Sequence, residues 1–137
     1  DVRAVISVNK GLVTQASAAI PVVPLYFAIL YKVMKKVGNH ENCIQQIARL
    51  FTQKLYTPTG FRTDENGFIR MDDYELTPEI QEEVKKCWKA VTTDTVKEYC
   101  DIDGYWEDFY HMFGFRYEDI DYTQDVDADV EIDGVVM

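Results

Sequence analysis

The sequence predicts an α/β fold that is mostly helical, with one strand of a parallel sheet and a small β-hairpin. The strand prediction rests on residues 4–8, a short uncharged run rich in β-branched side chains, which is typical of a strand buried on both faces of a parallel sheet. The helical prediction rests on apolar residues that recur at helical spacing through most of the remaining chain. The hairpin prediction, over about residues 61–71, rests on Asn66-Gly67, a dipeptide that favours a tight turn between strands.

Composition indicates a folded domain and excludes several classes of partner. Of the 137 residues, 47% are apolar, which is enough to build a core. The formal net charge of −10 argues against nucleic acid as a partner, because phosphate binding depends on clustered basic residues. The apolar run at residues 17–31 is interrupted by Pro21 and Pro24 and is too short to favour a membrane span. The three cysteines lack disulfide or metal spacing, so we expect them to be reduced, in cytosol or an organelle matrix.

The loop that follows the predicted strand is the first candidate site. Residues 9–11 end the strand, and ligands of open α/β sheets bind beyond the carboxyl ends of the strands. Leu12, Val13 and Thr14 are therefore predicted to lie where a ligand binds. The alternative, which the residues alone leave open, is an ordinary connection between a strand and a helix.

A long apolar helix is predicted next. It begins near Pro24, since proline is tolerated in the first turn, and it ends at Val37, with Gly38 as the left-handed residue after it. Val23, Phe27 and Tyr31 recur every four residues along this segment and share one side of it. They line a pocket or belong to the core, and periodicity alone favours the core.

The rest of the chain is predicted to be helical up to an acidic tail. Asn39 caps a helix whose inner face is Ile44, Ile47, Ala48, Phe51 and Leu55 and whose outer face is Gln45, Gln46, Arg49 and Lys54. Thr77-Pro78 begins a longer helix, with Ile80, Val84, Cys87, Trp88 and Val91 facing inward. A short helix from Thr92 or Thr93 to Cys100 follows, and Asp103 caps another that ends at Phe113. From residue 118 onward we expect an extended segment that packs Ile120, Tyr122 and Val126 on the body.

These elements suggest three parts: residues 1–38, residues 39–117 and the acidic tail at 118–137. A lone strand cannot bury both of its faces, so we expect a further portion of the protein, or another subunit, to complete the sheet. The first residue is Asp, directly before a buried-type strand, which suggests a cut end. His40 and His111 have no second ligand at metal spacing, and no metal site is predicted.

Several long segments resemble one enzyme family. They are SVNKGLVTQASAAIPVVPLY at residues 7–26, KVMKKVGNHENCIQQIARLF at 32–51, LTPEIQEEVKKCWKAVT at 76–92, DGYWEDFYHMFGF at 103–115 and DYTQDVDADV at 121–130. The sequence resembles the trans-2-enoyl-CoA reductases and the related V-type enoyl-acyl carrier protein reductases. The resemblance runs nearly end to end, and it covers the C-terminal third of that family's pattern.

The resemblance implies a fold, a reaction and site residues. It implies the C-terminal part of a Rossmann-type domain like that of short-chain dehydrogenases/reductases, which binds NADH or NADPH. The reaction is reduction of the C2–C3 double bond of an enoyl-CoA or enoyl-acyl carrier protein in fatty acid synthesis. By the same resemblance, Leu12, Val13 and Thr14 lie beside the nicotinamide. The residues implied to line the acyl pocket are Val23, Phe27, Tyr31 and Tyr105.

The family's catalytic Tyr and Lys are implied to lie upstream of this chain, which is therefore predicted to be inactive alone. Tyr31 and Lys35 imitate a Tyr-x3-Lys dyad, and Tyr26 and Lys35 imitate a Tyr-x8-Lys pair, although nine residues of helix turn the latter two apart. The alternative function is a non-catalytic accessory or scaffold subunit derived from the same fold. The expected compartment is the bacterial cytoplasm or the mitochondrial matrix.

Overall fold

The computed structural model describes residues 4–125, which form a mostly helical fold with a two-stranded parallel sheet. None of the helices in this part of the chain has the length and apolar content that crossing a lipid bilayer requires. In chain order the elements are β1 (Ile6–Val8), α1 (Gln15–Ala19), α2 (Val23–Val37), α3 (Cys43–Arg49), a π-helix (Leu50–Leu55), β2 (Phe68–Arg70), α4 (Pro78–Ala90), α5 (Val96–Tyr99) and α6 (Ile102–Met112).

The two strands pair in parallel, with Ile6 opposite Phe68 and Val8 opposite Arg70. Met71 extends the pairing, because its N–H donates to the carbonyl of Val8 at 2.8 Å. The connection between the strands contains α1, α2 and α3, so this chain supplies its own crossover. The expectation that a parallel neighbour must come from elsewhere was therefore wrong for this edge of β1. Burial of β1 on both faces was also wrong, since Ile6 is 60% exposed.

The predicted hairpin is absent from residues 61–71. Asn66-Gly67 does form a turn, in which Gly67 has a φ of 83° and its N–H donates to the carbonyl of Asp64. The Asp64 carboxylate accepts from the N–H of Asn66 and of Phe68, so a side chain organises the turn instead of a second strand. The strand after the turn pairs with β1, which the local sequence gave no reason to expect.

Helix α2 ends as predicted and begins one residue early. Its C-terminus lies at Gly38, which has a φ of 85° and donates its N–H to the carbonyls of Met34 and Lys35. Pro24 occupies the second helical position, and the residue that precedes the helix is Val22, whose φ of 75° is strained for a β-branched side chain. Helix α1 was not predicted.

The core surrounds α2, which packs against α4 and α6. The Asp101 N–H, at the start of α6, donates to the carbonyl of Ala28 at 2.8 Å and fixes the two helices at this point. Burying side chains such as Ile29 and Leu30, which are fully enclosed, stabilises the fold by about 1.5–3 kcal/mol each. The buried cluster consists of Val13, Phe27, Ala28, Ile29, Leu30, Tyr31, Val33, Met34, Ile80, Val84, Cys100 and Tyr105.

Helix α3 presents the opposite face from the one that its apolar pattern predicts. Gln46 and Arg49, expected outside, are 2% and 6% exposed, whereas Ile47, expected inside, is 46% exposed. Ile44 and Phe51 are exposed as well. The helix is capped by Asn42 instead of Asn39, because the Asn42 side chain accepts from the N–H of Gln45 at 2.9 Å.

Arg49 is buried because every side of its guanidinium meets a partner. Its Nε donates to both carboxylate oxygens of Glu41, at 2.7 and 2.9 Å. One terminal nitrogen lies 3.0 Å from the Asp73 carboxylate, and the other donates to the carbonyl of Met71 at 2.9 Å. The plane lies over the ring of Tyr74, 4.0 Å from its centroid. This set of contacts offsets the cost of burying a charge, and it turns the polar face of α3 inward.

The C-terminal helices follow the prediction in part. Helix α4 begins at Pro78 with Thr77 as its cap, as predicted, and the expected inward-facing Trp88 is 38% exposed. Asp101, not Asp103, caps α6. Ile120 and Tyr122 are half-exposed, the Tyr122 hydroxyl donates to the carbonyl of Gly114 at 2.7 Å, and Val126 lies outside the described residues. All three cysteines are free thiols.

Replacing Arg49 tests the orientation of α3. Arg49→Met removes the salt-bridge partner of Glu41 and one of the two cations that bind Asp73, and we expect it to lower the free energy of unfolding by about 3 kcal/mol. Ile47→Ala, on the exposed face of the chain, is the matched control and should cost less than about 1 kcal/mol. Denaturant unfolding of both variants measures the difference. A larger loss in Ile47→Ala would favour the orientation that the apolar pattern predicts.

Candidate cofactor and substrate site

Residues 10–14, which we term the clamped loop, follow β1 at the carboxyl end of the sheet. Side chains from three other segments fix its backbone. The N–H groups of Lys10, Gly11 and Val13 donate to Gln46 Oε1, Glu75 Oε2 and Tyr31 Oη at 3.1, 2.6 and 3.0 Å, respectively. A loop held at three successive points by buried side chains is preorganised, which is what a ligand-binding backbone needs.

Gly11 is required at its position by close packing. An added Cβ would lie 2.6 Å from Cε1 of Phe27, closer than two carbons approach. The Gly11 carbonyl accepts from the Tyr31 hydroxyl at 3.3 Å and from the Lys10 ammonium at 3.2 Å. Both the N–H and the carbonyl of Gly11 are therefore hydrogen-bonded.

Two backbone groups in the clamped loop are unpaired among the described residues, one on Leu12 and one on the buried residue Val13. Within residues 4–125, the N–H of Leu12 and the carbonyl of Val13 have no hydrogen-bond partner. The Thr14 hydroxyl, by contrast, already accepts from the N–H of Ser17 at 3.0 Å and caps α1. A free donor and a free acceptor on adjacent residues match a carboxamide, which carries one acceptor oxygen and two N–H donors.

Tyr31 supports the loop from beneath. Its ring is fully buried, stacks on Phe27 with centroids 6.0 Å apart and lies 4.6 Å from the ring of His40. Burial raises the pKa of Tyr31 far above its ordinary value, so the hydroxyl keeps its proton. It therefore donates to Gly11 while it accepts from Val13.

The two pairs that imitate a catalytic dyad are separated by their partners. The Lys35 ammonium lies 2.6 Å from Oδ2 of Asp101, away from both tyrosine hydroxyls. Tyr31 holds the clamped loop, and the Tyr26 hydroxyl donates to Glu75 Oε1 at 2.7 Å. Burial raises the pKa of Tyr26 to about 12. Neither pair has the contacts of a proton-donating dyad.

Lys10, the first residue of the clamped loop, is a buried cation with 3% of its surface exposed. Its ammonium lies 4.6 Å from the centroid of the Tyr31 ring. Burial lowers the pKa of Lys10 to about 8, while the carboxylates of Asp108 and Glu75 partly oppose this shift. Nothing in the sequence pattern distinguished this lysine from a surface one.

A second feature is an apolar groove of about 210 Å³ between α2 and the α5–α6 segment. Of the four predicted pocket residues, only Tyr105 is among those that line this groove. Helix α2 also borders the groove, but with another side than the one that carries Phe27 and Tyr31. The lining residues are Pro24, Leu25, Ala28, Val96, Cys100, Ile102, Tyr105 and Trp106. Phe27 and Tyr31 pack in the core beside the clamped loop, and Val23 is partly buried against it. An all-apolar helix gives no sequence signal for which of its sides borders a groove.

Both histidines contact a side chain of this chain. His40 Nε2 lies 3.0 Å from Oδ2 of Asp108, and both side chains are buried. His111 stacks on Tyr117. Among residues 4–125, no three His, Cys, Asp or Glu side chains are grouped to hold a metal ion.

Comparison with known families covers nearly the whole chain. Residues 1–56 match the trans-2-enoyl-CoA reductase catalytic region, and residues 63–126 match the enoyl reductase FAD binding domain. An enoyl-[acyl-carrier-protein] reductase [NADH] of Flavobacterium psychrophilum is 48% identical over 134 residues, 98% of this chain. A trans-2-enoyl-CoA reductase [NADH] of Ruminiclostridium cellulolyticum is 49% identical over 97% of it. The chain is therefore similar, over nearly its whole length, to the C-terminal third of these enoyl reductases.

Solved structures of the family agree with this fold. The trans-2-enoyl-CoA reductase of Clostridium acetobutulicum, in complex with NAD, superposes with a TM-score of 0.79 at 49% identity, over 91% of this chain and 32% of that one. The enzyme of Treponema denticola, in complex with NAD, gives 0.79 at 49% identity, over 90% and 31%. The chain spans about a third of the length of its curated relatives, 34% for the Flavobacterium protein and 33% for the Ruminiclostridium protein. These comparisons give no support to the scaffold alternative.

The two cofactors named for the family differ in how they fit these residues. Within the part of the chain that the structure describes, the clamped loop offers an unpaired donor and an unpaired acceptor, the polarity that a nicotinamide carboxamide requires. In residues 63–125, the first turns of α4 and α6 carry acidic residues, Glu79 and Asp103, and Asp101 caps α6. Negative charge at a helix N-terminus opposes a pyrophosphate, and no glycine-rich loop lies in this range. The described part of the FAD-named region therefore does not fit FAD.

Tyr31→Phe tests the support of the clamped loop. The substitution leaves the buried N–H of Val13 without its acceptor, which costs about 1–3 kcal/mol of stability. We expect the loss in denaturant unfolding, and we expect faster amide hydrogen exchange at Val13. Normal exchange at Val13 would mean that the Tyr31 hydroxyl does not hold the loop.

The buried ammonium of Lys10 predicts a pH dependence of stability. Its pKa is near 8 in the folded protein and 10.5 ordinarily, so between these values the unfolded chain binds a proton that the folded one has lost. Stability then rises with pH, whereas below pH 8 the full cost of burying the charge is present. Relative to Lys10→Met, the free energy of unfolding of the wild type should increase by about 2 kcal/mol between pH 8 and pH 10.

Unfolding of wild type and Lys10→Met across this pH range measures the effect as a difference. The comparison cancels the other titrating groups, including Tyr26, which acts in the opposite direction above pH 10. A constant difference in free energy would show that Lys10 is not buried as a charge.

Proposed function

We propose that this chain is the C-terminal segment of an NADH-dependent enoyl-thioester reductase. The reaction is reduction of the C2–C3 double bond of an enoyl-CoA or enoyl-acyl carrier protein, as the names of the relatives suggest. One observation carries the proposal: the clamped loop is fixed on both sides of Gly11, while Leu12 and Val13 leave a donor and an acceptor free beside it. Relatives named for NADH favour it over NADPH.

The residues of this chain orient the reactants. Bound NADH supplies a hydride in this chemistry. The N–H of Leu12 and the carbonyl of Val13 bind the carboxamide and fix the orientation of the nicotinamide ring. The Thr14 hydroxyl contributes indirectly, by holding α1 against the loop. The proton comes from a Tyr supported by a Lys, which the family resemblance assigns to the part of the enzyme upstream of this chain.

The apolar groove is the proposed acyl site. Its lining is almost wholly apolar, so it excludes water and accepts a hydrocarbon chain. Tyr105 contributes from α6, and Leu25 and Ala28 contribute from α2. Val23 and Phe27, adjacent to these on the same helix, stay candidates for the end of the pocket nearest the nicotinamide.

The remaining two thirds of the enzyme are proposed to cover the exposed apolar surface. Ile6 on β1 and the row Ile44, Ile47 and Phe51 along α3 are each about half-exposed or more. One edge of β1 has no partner strand among the described residues and suits a further parallel strand. The free thiols and the bacterial relatives favour a bacterial cytoplasm.

The proposal is tested with the full-length enzyme and with this chain. We expect the full-length protein to oxidise NADH in the presence of crotonyl-CoA, with less activity with NADPH. This chain alone should have no activity, because the proton donor and the phosphate-binding loop are expected upstream. Activity of the isolated chain, or inactivity of the full-length protein with both CoA and acyl carrier protein thioesters, would contradict the proposal.

A further inference from the structure

We propose that Glu75 is a positioning residue for the nicotinamide loop, an inference that rests on the proposed function. Glu75 lies between β2 and α4, 64 positions from Gly11 along the chain. The residue is 7% exposed. Oε2 accepts from the N–H of Gly11 at 2.6 Å, and Oε1 accepts from the hydroxyl of Tyr26 at 2.7 Å. One side chain thus joins the clamped loop to α2 from a third segment.

Both groups that bind the Glu75 side chain donate to it, the N–H of Gly11 and the hydroxyl of Tyr26. An ionised carboxylate accepts on both oxygens, and such charge-assisted bonds are short and strong. A carboxamide can keep both contacts only if its oxygen accepts from Gly11 and its NH₂ group donates to the Tyr26 hydroxyl, which reverses that bond. Glu75→Gln therefore keeps the size of the side chain and replaces two charge-assisted hydrogen bonds with weaker neutral ones.

Glu75 is itself held in place. Its own carbonyl accepts from Nε2 of Gln81, in the first turn of α4, at 2.9 Å. On the other side of Gly11, the carbonyl accepts from the buried ammonium of Lys10. Gly11 is thus bonded at its N–H to an anion and at its carbonyl to a cation, which defines the orientation of the two peptide groups that lead into Leu12.

The consequence concerns the free donor and acceptor. Leu12 follows Gly11 directly, so a rotation of the loop after loss of the Glu75 bond moves the N–H of Leu12 and the carbonyl of Val13 together. Misplacement of a binding group by about 1 Å is enough to weaken a reaction that depends on orientation. The thioester, bound in the groove on another side of α2, does not depend on this contact.

The experiment uses the full-length enzyme with three variants. Glu75→Gln should raise the KM for NADH about tenfold and leave the KM for crotonyl-CoA within twofold. Tyr26→Phe removes the other partner of the carboxylate and should raise the KM for NADH about threefold. Asp72→Asn is the matched control, because Asp72 is equally buried in the same connection and pairs with Arg70 instead of the loop. It should leave both KM values unchanged.

The outcomes separate positioning from stability and from the proposed function. An unchanged KM for NADH in folded Glu75→Gln, or an equal rise in Asp72→Asn, would overturn the inference. If Glu75→Gln does not fold, Tyr26→Phe decides, and an unchanged KM for NADH in that variant overturns it. An inactive wild type would instead count against the proposed function. Thermal unfolding of each variant confirms that the compared proteins are folded.

Discussion

The candidate site depends on one buried hydroxyl, that of Tyr31. It projects from the most enclosed part of α2 and bonds the loop after β1 at two points, Gly11 and Val13. Because the ring is fixed by core packing, the loop inherits the rigidity of the core. Glu75 and Lys10 then act on a backbone that is already placed. The site is thus an extension of the hydrophobic core toward the end of the sheet.

Features that depend on neighbouring residues were predictable from the sequence. The end of α2 at Gly38 and the start of α4 at Thr77-Pro78 each follow from the backbone preferences of one or two residues. The family resemblance, confirmed by the comparisons, implied cofactor binding by Leu12, Val13 and Thr14 of the clamped loop, which stays a prediction. It could not indicate that the Thr14 hydroxyl is occupied as a helix cap, because that contact depends on Ser17 forming an unpredicted helix.

Features that depend on distant partners were not predictable. The apolar row on α3 predicts an inner face that the structure leaves exposed, because Arg49 finds Glu41, Asp73 and the Met71 carbonyl on the other side. A helical pattern records which side chains avoid water, but not whether the surface they contact lies in the same third of the protein. The role of Glu75 was not predictable for a related reason. Its partners, Gly11 and Tyr26, are distant in sequence and contact it only in the folded chain.

The parallel pairing of β1 with β2 also has a kinetic consequence. Residue 6 meets residue 68 only after α1, α2, α3 and the π-helix between them have been arranged, so closure of a long loop precedes any strand pairing. Contacts of such sequence separation slow folding, whereas helices form locally and early. During synthesis, β1 leaves the ribosome well before β2, so the edge of β1 that pairs with β2 stays unpaired until then. The loop that follows β1 therefore reaches its final shape among the last events of folding, and a chaperone that shields that edge would act on this step.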